Sequence, residues 1–185
     1  MSLFGNGLDA AVQKAFTRPA PKNAGPQMRY LVKQLGGTKA VAQMLRISQR
    51  TVERYVKDQI KKPRPDLAAR LENEVKKRWQ PQIRAKARQR AATTGGIVID
   101  TRARIGYTAP IGTTDEGRLR HLTVALPPRY AALLLDAQEQ GASEQQLREI
   151  AAEALKQVYF QDGGRRAGSL EEVRFTDIEH LEFEL

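Results

Sequence analysis

The chain has 185 residues, 41% of them hydrophobic, no cysteine and a formal net charge of +10 at pH 7. Disulfides and thiolate chemistry are therefore excluded, and with His121 and His180 as the two histidines most metal sites are too. No apolar run approaches the roughly 20 residues of a membrane helix, and the start MSLFGNGLDAAVQK lacks a signal peptide's basic and apolar regions, so a cytoplasmic protein with no membrane partner is expected. The charge is one-sided. Residues 1–100 hold 21 Lys+Arg and 7 Asp+Glu, and residues 101–185 hold 10 and 14. One-sided basicity points to a polyanion partner and to salt-sensitive binding.

Leu8–Phe16 reads as a short amphipathic helix, and Thr17–Pro26, with three prolines and a glycine, as a linker. Met28, Leu31, Val32 and Leu35 repeat at helical spacing in a helix over 27–36, which Gly36-Gly37 ends. Thr38–Lys57 then spells short helix, tight turn, second helix. Val41, Leu45, Ile47, Val52 and Tyr55 fall on facing sides, and Ala42 stands where the helices approach. Ser48 is placed to cap the second helix. This is the helix-turn-helix pattern, whose second helix enters the DNA major groove. A glycine usually supplies the left-handed turn, so here Arg46 or a neighbour must do so. Gln49, Arg50, Glu53, Arg54 and Lys57 project outward. Gln49, Arg50 and Arg54 are expected on bases, and Lys57, Lys61 and Lys62 on phosphates.

Asp66 is placed to cap a helix over 66–79, striped by Leu67, Leu71, Val75 and Trp79, which Pro81 ends. Ile83–Ala92 carries Arg84, Lys86, Arg88 and Arg90 without an acid, and beside the preceding motif it reads as a mobile arm tracking phosphates. Thr93–Gly96 is the expected domain boundary. Ile97–Tyr107 and Arg118–Leu126 alternate as strands joined by Ala109–Gly117. A helix over 128–140 follows. Ser143 and Gln146 then open another with a capping box, and the acidic tail closes as one or two strands. The expected class is α+β. It divides into an N-terminal segment and linker (1–26), a helix-turn-helix domain with a basic helical arm (27–92), and a small α+β domain (97–185).

The run HLTVALPPRYAALLLDAQEQGASEQQLREIAAEALKQVY, strand then helix then helix, resembles the ribbon-helix-helix family over about 40 residues. The resemblance implies a homodimer. The outward strand residues His121, Thr123 and Ala125 are poor base readers, so DNA readout is not expected there.

No phosphate-binding Gly-rich loop is present, and nothing converges the acidic pairs Asp115-Glu116 and Glu171-Glu172 on a substrate. Self-contained catalysis is not expected, and neither is a metal site or cofactor of the chain's own. A role needing only an exposed hydroxyl remains open, because in protein-primed replication a Ser, Thr or Tyr replaces the primer's 3′-OH. Thr113 and Thr114 sit at the tip of Ala109–Gly117, where a plain polar turn is the alternative.

Along essentially its whole length, the sequence resembles the telomere terminal proteins of linear Streptomyces chromosomes and plasmids. The resemblance rests on MSLFGNGLDAAVQKAFTRPAPK, MLRISQRTVERYVKDQIKKPRPDLAARLE, TTGGIVIDTRARIGYTAPIGTTDEGRLRHLTVALPPRYAA and QDGGRRAGSLEEVRFTDIEHLEFEL. It implies a protein that caps chromosome ends, covalently joined to the DNA 5′ end, and that primes synthesis filling the single-stranded 3′ overhang. The family's acceptor threonine matches Thr114, with Thr113 its neighbour. Implied partners are telomeric DNA, a telomere-associated protein and a DNA polymerase that brings Mg²⁺ and dNTP. The implied location is the nucleoid, at chromosome ends. The alternative is a dimeric helix-turn-helix transcription regulator or architectural DNA-binding protein.

Overall fold

The computed structural model of the chain describes residues 2–108, 115–165 and 170–185. They form an α+β fold of eight α-helices and a three-stranded antiparallel sheet. The chain divides into two compact units: a helical unit of residues 17–81, and a sheet unit of residues 1–16 with 82–185. Each has its own buried core.

The helical unit contains α2 (Ala24–Leu35), α3 (Thr38–Leu45), α4 (Gln49–Val56) and α5 (Pro65–Arg78). Met28, Leu31, Val41, Leu45, Val52 and Leu71 are fully buried between them, as their helical spacing predicts. Gly36 ends α2 at φ 76°, and its amide bonds back to the Val32 carbonyl. Arg46 ends α3 in the left-handed region, φ 54° and ψ 49°. An arginine thus holds the turn that glycine usually serves, at a cost of about 1–2 kcal/mol. Its amide and that of Ile47 still close on the last turn of α3, through the carbonyls of Gln43 (3.2 Å) and Ala42 (3.0 Å).

Ser48 caps α4: its Oγ accepts from the Thr51 amide at 3.1 Å. Ser48→Ala should therefore lower the stability of the helical unit by about 1 kcal/mol, read as a shift in its thermal midpoint. The cap expected of Asp66 on α5 is absent. Arg64 occupies that position with no side-chain bond, Pro65 opens the helix, and Asp66 lies in the first turn. Proline explains the shift, since its locked φ and missing amide suit the first helical position.

The sheet unit begins with α1 (Leu3–Lys14), capped by Ser2. It resumes with α6 (Pro81–Arg90), a wide turn over Ala91–Gly95, β1 (Ile97–Thr108), β2 (Asp115–Leu126), α7 (Pro128–Glu139), α8 (Glu144–Leu155) and β3 (Glu172–Glu184). The strand order is β2-β1-β3. Along β1, Ile97, Ile99, Thr101, Ala103 and Ile105 are buried while Arg102 and Arg104 are exposed, as the alternation predicts. α1 and α8 pack on β3, and α7 packs on the wide turn. Phe4 of α1 is fully buried, its ring centroid 5.9 Å from Phe175 and 6.1 Å from Phe183. The capping box of Ser143 and Gln146 is formed at the start of α8.

Three expectations about organisation are corrected here. Residues 1–16 do not stand with the linker as a separate N-terminal segment, because Phe4, Leu8, Ala11 and Val12 are buried in the sheet unit's core. Thr93–Gly96 does not divide the chain. It lies within the sheet unit, and a Cβ on Gly96 (φ 72°) would meet the Leu126 carbonyl oxygen at 2.3 Å. Ile83–Ala92 is not an arm. Arg84 pairs with Asp9 at 3.2 Å, Arg88 pairs with Glu139 at 3.1 Å and donates to the Leu135 carbonyl, and Ala91 is buried. The two arginines lie one helical turn apart, so both turn inward together while Lys86 and Arg90 remain exposed. The acidic tail is a single strand, β3, and Leu185 lies beyond it, exposed.

Candidate nucleic-acid interface

Dividing the chain by its units concentrates the charge. Residues 17–81 hold 16 Lys+Arg and 5 Asp+Glu, +11, whereas the sheet unit holds 15 and 16. The basic character thus belongs to the helical unit once residues 82–92 are assigned to the other.

Within that unit, α4 presents the densest set of expected site residues. Val52 and Tyr55 anchor it inward, so Gln49, Arg50, Arg54 and Lys57 face solvent and Glu53 is half-buried. Gln49 is held: its Nε2 donates to Thr38 Oγ1 at 3.1 Å and to Glu53 Oε1 at 3.0 Å. Arg50, Arg54, Lys57, Lys61 and Lys62 are exposed and make no ion pair among the described residues. Cations without internal partners attract phosphate at little desolvation cost. Ser48 serves the helix cap, and its hydroxyl also lies 2.8 Å from Thr51 Oγ1.

At the far end of α4 the chain turns through Asp58 at φ 55°, whose carboxylate pairs with Arg29 at 2.8 Å. Arg29 also donates to the Val56 carbonyl at 2.9 Å, which ties α2 to the end of α4. Tyr30 of α2 meets Trp79 with ring centroids 4.8 Å apart and ring planes tilted by 60°. The Trp79 indole N–H donates to the Arg18 carbonyl at 2.9 Å. The Arg29 contacts tie the end of α4 to α2, and α3 packs against α4 as well.

The expected residues do not all come together. Ser48, Gln49, Arg50, Glu53, Arg54 and Lys57 share one short stretch of the helical unit, and Lys61 and Lys62 follow in the segment leading to α5. Arg84, Lys86, Arg88 and Arg90 belong to the sheet unit, and Arg84 and Arg88 are already engaged there. Thr113 and Thr114 lie outside the described residues. What is described is their frame: β1 runs to Thr108, β2 starts at Asp115, and Tyr107 pairs with Asp115 across the ladder. Sequence reasoning missed Thr38, which fixes Gln49. A short hydroxyl opening α3 and facing the start of α4 is the signal that could have found it.

The uncovered face of the sheet carries a second polar group. Thr123 Oγ1 donates to Asp100 Oδ2 at 2.6 Å, and Nε2 of His121 and His180 lie 3.3 and 3.4 Å from Asp100 Oδ1. The Thr123 hydroxyl, ahead of the two imidazoles, holds the Asp100 carboxyl below the ordinary range. Among the described residues no cluster of three His, Cys, Asp or Glu is arranged to hold a metal, and no helix is long and apolar enough to cross a membrane. Compared with known proteins, the chain matches no family model, no curated protein and no solved structure.

Proposed function

We propose that the chain is a DNA-binding primer protein of the telomere terminal type. The helical unit, read as a helix-turn-helix domain, delivers it to telomeric DNA, and Thr114 is the hydroxyl on which a DNA polymerase starts synthesis. The observation that carries the DNA-binding half is the exposed side of α4, with Arg50, Arg54 and Lys57 unpaired in a unit of net charge +11. The resemblance to the telomere terminal proteins supports the priming half. So does the strand frame that leaves residues 109–114 between β1 and β2.

In this reading Gln49, Arg50 and Arg54 meet base edges, and Lys57, Lys61 and Lys62 meet phosphates. A telomere-associated protein brings the complex to the 3′ overhang. The polymerase supplies Mg²⁺ and dNTP. Thr114 Oγ attacks the α-phosphorus, the bond to the β-phosphate's bridging oxygen breaks, pyrophosphate leaves, and the hydroxyl proton passes to a base of the polymerase. The chain itself contributes position and the acceptor.

Arg50→Ala with Arg54→Ala should lower affinity for the preferred duplex by at least about tenfold and flatten discrimination between sequences, because each good base contact is worth about 1–3 kcal/mol. Fluorescence anisotropy with matched and scrambled duplexes measures both. An unchanged ranking of duplexes would remove α4 as the reader.

The rival reading is a dimeric regulator or architectural protein that never accepts a nucleotide. The position of β2 at the sheet's outer edge, followed by α7 and α8, favours it, because an edge strand offers unpaired backbone groups to a second copy. Mass spectrometry of nuclease-treated protein from cells separates the two. A dNMP on one peptide spanning residues 109–117 is expected from the primer, and none from the regulator.

A further inference from the structure

A groove of about 510 Å³ runs between α4 and the start of α5. Thr51 and Tyr55 of α4 line it, with Lys62 and Arg64 from the connecting segment and Arg70 from α5. Asp66 is the single acid in its lining, and Ile60 and Leu67 supply apolar wall. Asp66 forms no ion pair among the described residues. Arg70 Nε is steered by the Asp66 backbone carbonyl at 3.3 Å and not by its carboxylate. Lys62 and Arg64 likewise have no carboxylate partner there. Three cations therefore converge against one anion, beside hydroxyls that can donate. Burial pushes the Tyr55 hydroxyl up from its ordinary value, against the nearby Arg54 and Arg64 guanidinium groups, so it stays protonated at neutral pH.

We infer that this groove seats the sugar–phosphate backbone of the DNA that α4 reads, with Lys62, Arg64 and Arg70 on phosphates and Thr51 donating beside them. The inference rests on the reading of the helical unit as a DNA-binding domain, and it adds Thr51, Arg64 and Arg70 to the contacts. Charge complementarity is the first reason: cations gathered on one groove without carboxylate partners repel one another until a polyanion neutralises them. Continuity is the second. Thr51 follows Arg50 in the chain and Tyr55 follows Arg54, so a strand in the groove lies within one helical turn of the proposed base readers. A free nucleotide would satisfy the same cations but would have no reason to lie beside that face.

The test is a salt series of duplex affinities by fluorescence anisotropy, on the full chain, over about 50–200 mM salt. Lys62→Ala, Arg64→Ala and Arg70→Ala are combined in one variant, and Arg50→Ala with Arg54→Ala in another. All three residues of the first variant are exposed, and circular dichroism with thermal melting checks that the variant folds. The groove variant should lose about 2–3 from the slope of log K against log salt, at about 0.9 per phosphate, while ranking duplexes as the wild type does. The helix variant should change the ranking instead. A groove variant that folds and keeps the wild-type slope overturns the inference while the DNA-binding reading stands. Wild-type protein that binds no duplex overturns that reading, and the inference with it. Calorimetric titration with dNTP and with inorganic phosphate is the remaining arm. Tight binding that the groove variant abolishes, with its DNA slope unaltered, would assign the groove to a free nucleotide and overturn the inference.

Discussion

Thr114→Ala is expected to reduce transfer of labelled dNMP to background, in an assay with polymerase, telomere-associated protein, Mg²⁺ and the wild-type chain in parallel. The effect is all-or-none, because without Oγ there is no atom to form the phosphodiester bond, and no neighbouring electrostatic effect replaces a missing nucleophile. Thr113→Ala should keep the label, since the proposed reading makes the Thr114 hydroxyl the acceptor. Thr114→Ser should also keep it, because serine retains the oxygen and loses only a methyl group. Chelating Mg²⁺ should abolish labelling of every variant, the metals being the polymerase's. Label that persists on Thr114→Ala and vanishes on Thr113→Ala would move the acceptor by one residue. Label on neither wild type nor variants would favour the regulator reading.

Local features of the fold were legible wherever one residue type has one physical use. The Ser48 and Ser143 caps, the Gly36 stop and the inward faces of α3, α4, α8, β1 and β2 follow from spacing and short-range hydrogen bonding. Even the left-handed turn at Arg46 was readable, because the geometry demanded a positive φ near that position and no glycine was present. Long-range placement was not legible. The run from Arg84 to Arg90 carries no acid, so its charge pattern cannot reveal that Asp9 and Glu139, 75 and 51 positions from their partners, wait in the folded chain. The boundary failed for a related reason. Thr93–Gly96 has a linker's composition, but Gly96 is there for close backbone approach to Leu126 rather than for freedom. At the candidate interface the outward residues of α4 were readable from helical periodicity. The basic groove beside it was not, because it joins residues from three separate stretches.

Phe4→Ala should destabilise the sheet unit by about 3–5 kcal/mol, a drop in its thermal midpoint of roughly 10–20 °C. The residue looks dispensable in sequence, three positions from the start and ahead of a proline-rich stretch. In the fold it is fully buried against Phe175 and Phe183, and α1 is further pinned by the Glu144 carboxylate, which accepts from the Phe4 amide at 3.2 Å and from Ser2 Oγ at 2.8 Å. Truncation leaves a cavity that β3 cannot close, since Phe183 already packs within 3.0 Å of where a Cβ on Gly7 would stand. Phe4→Leu keeps most of the volume and should cost far less. Because the two cores share no residue, duplex affinity measured well below the transition should stay at the wild-type value while nucleotide acceptance on Thr114 fades as the sheet unit melts. A midpoint shift below about 1 °C would mean that Phe4 does not hold residues 1–16 to the sheet unit.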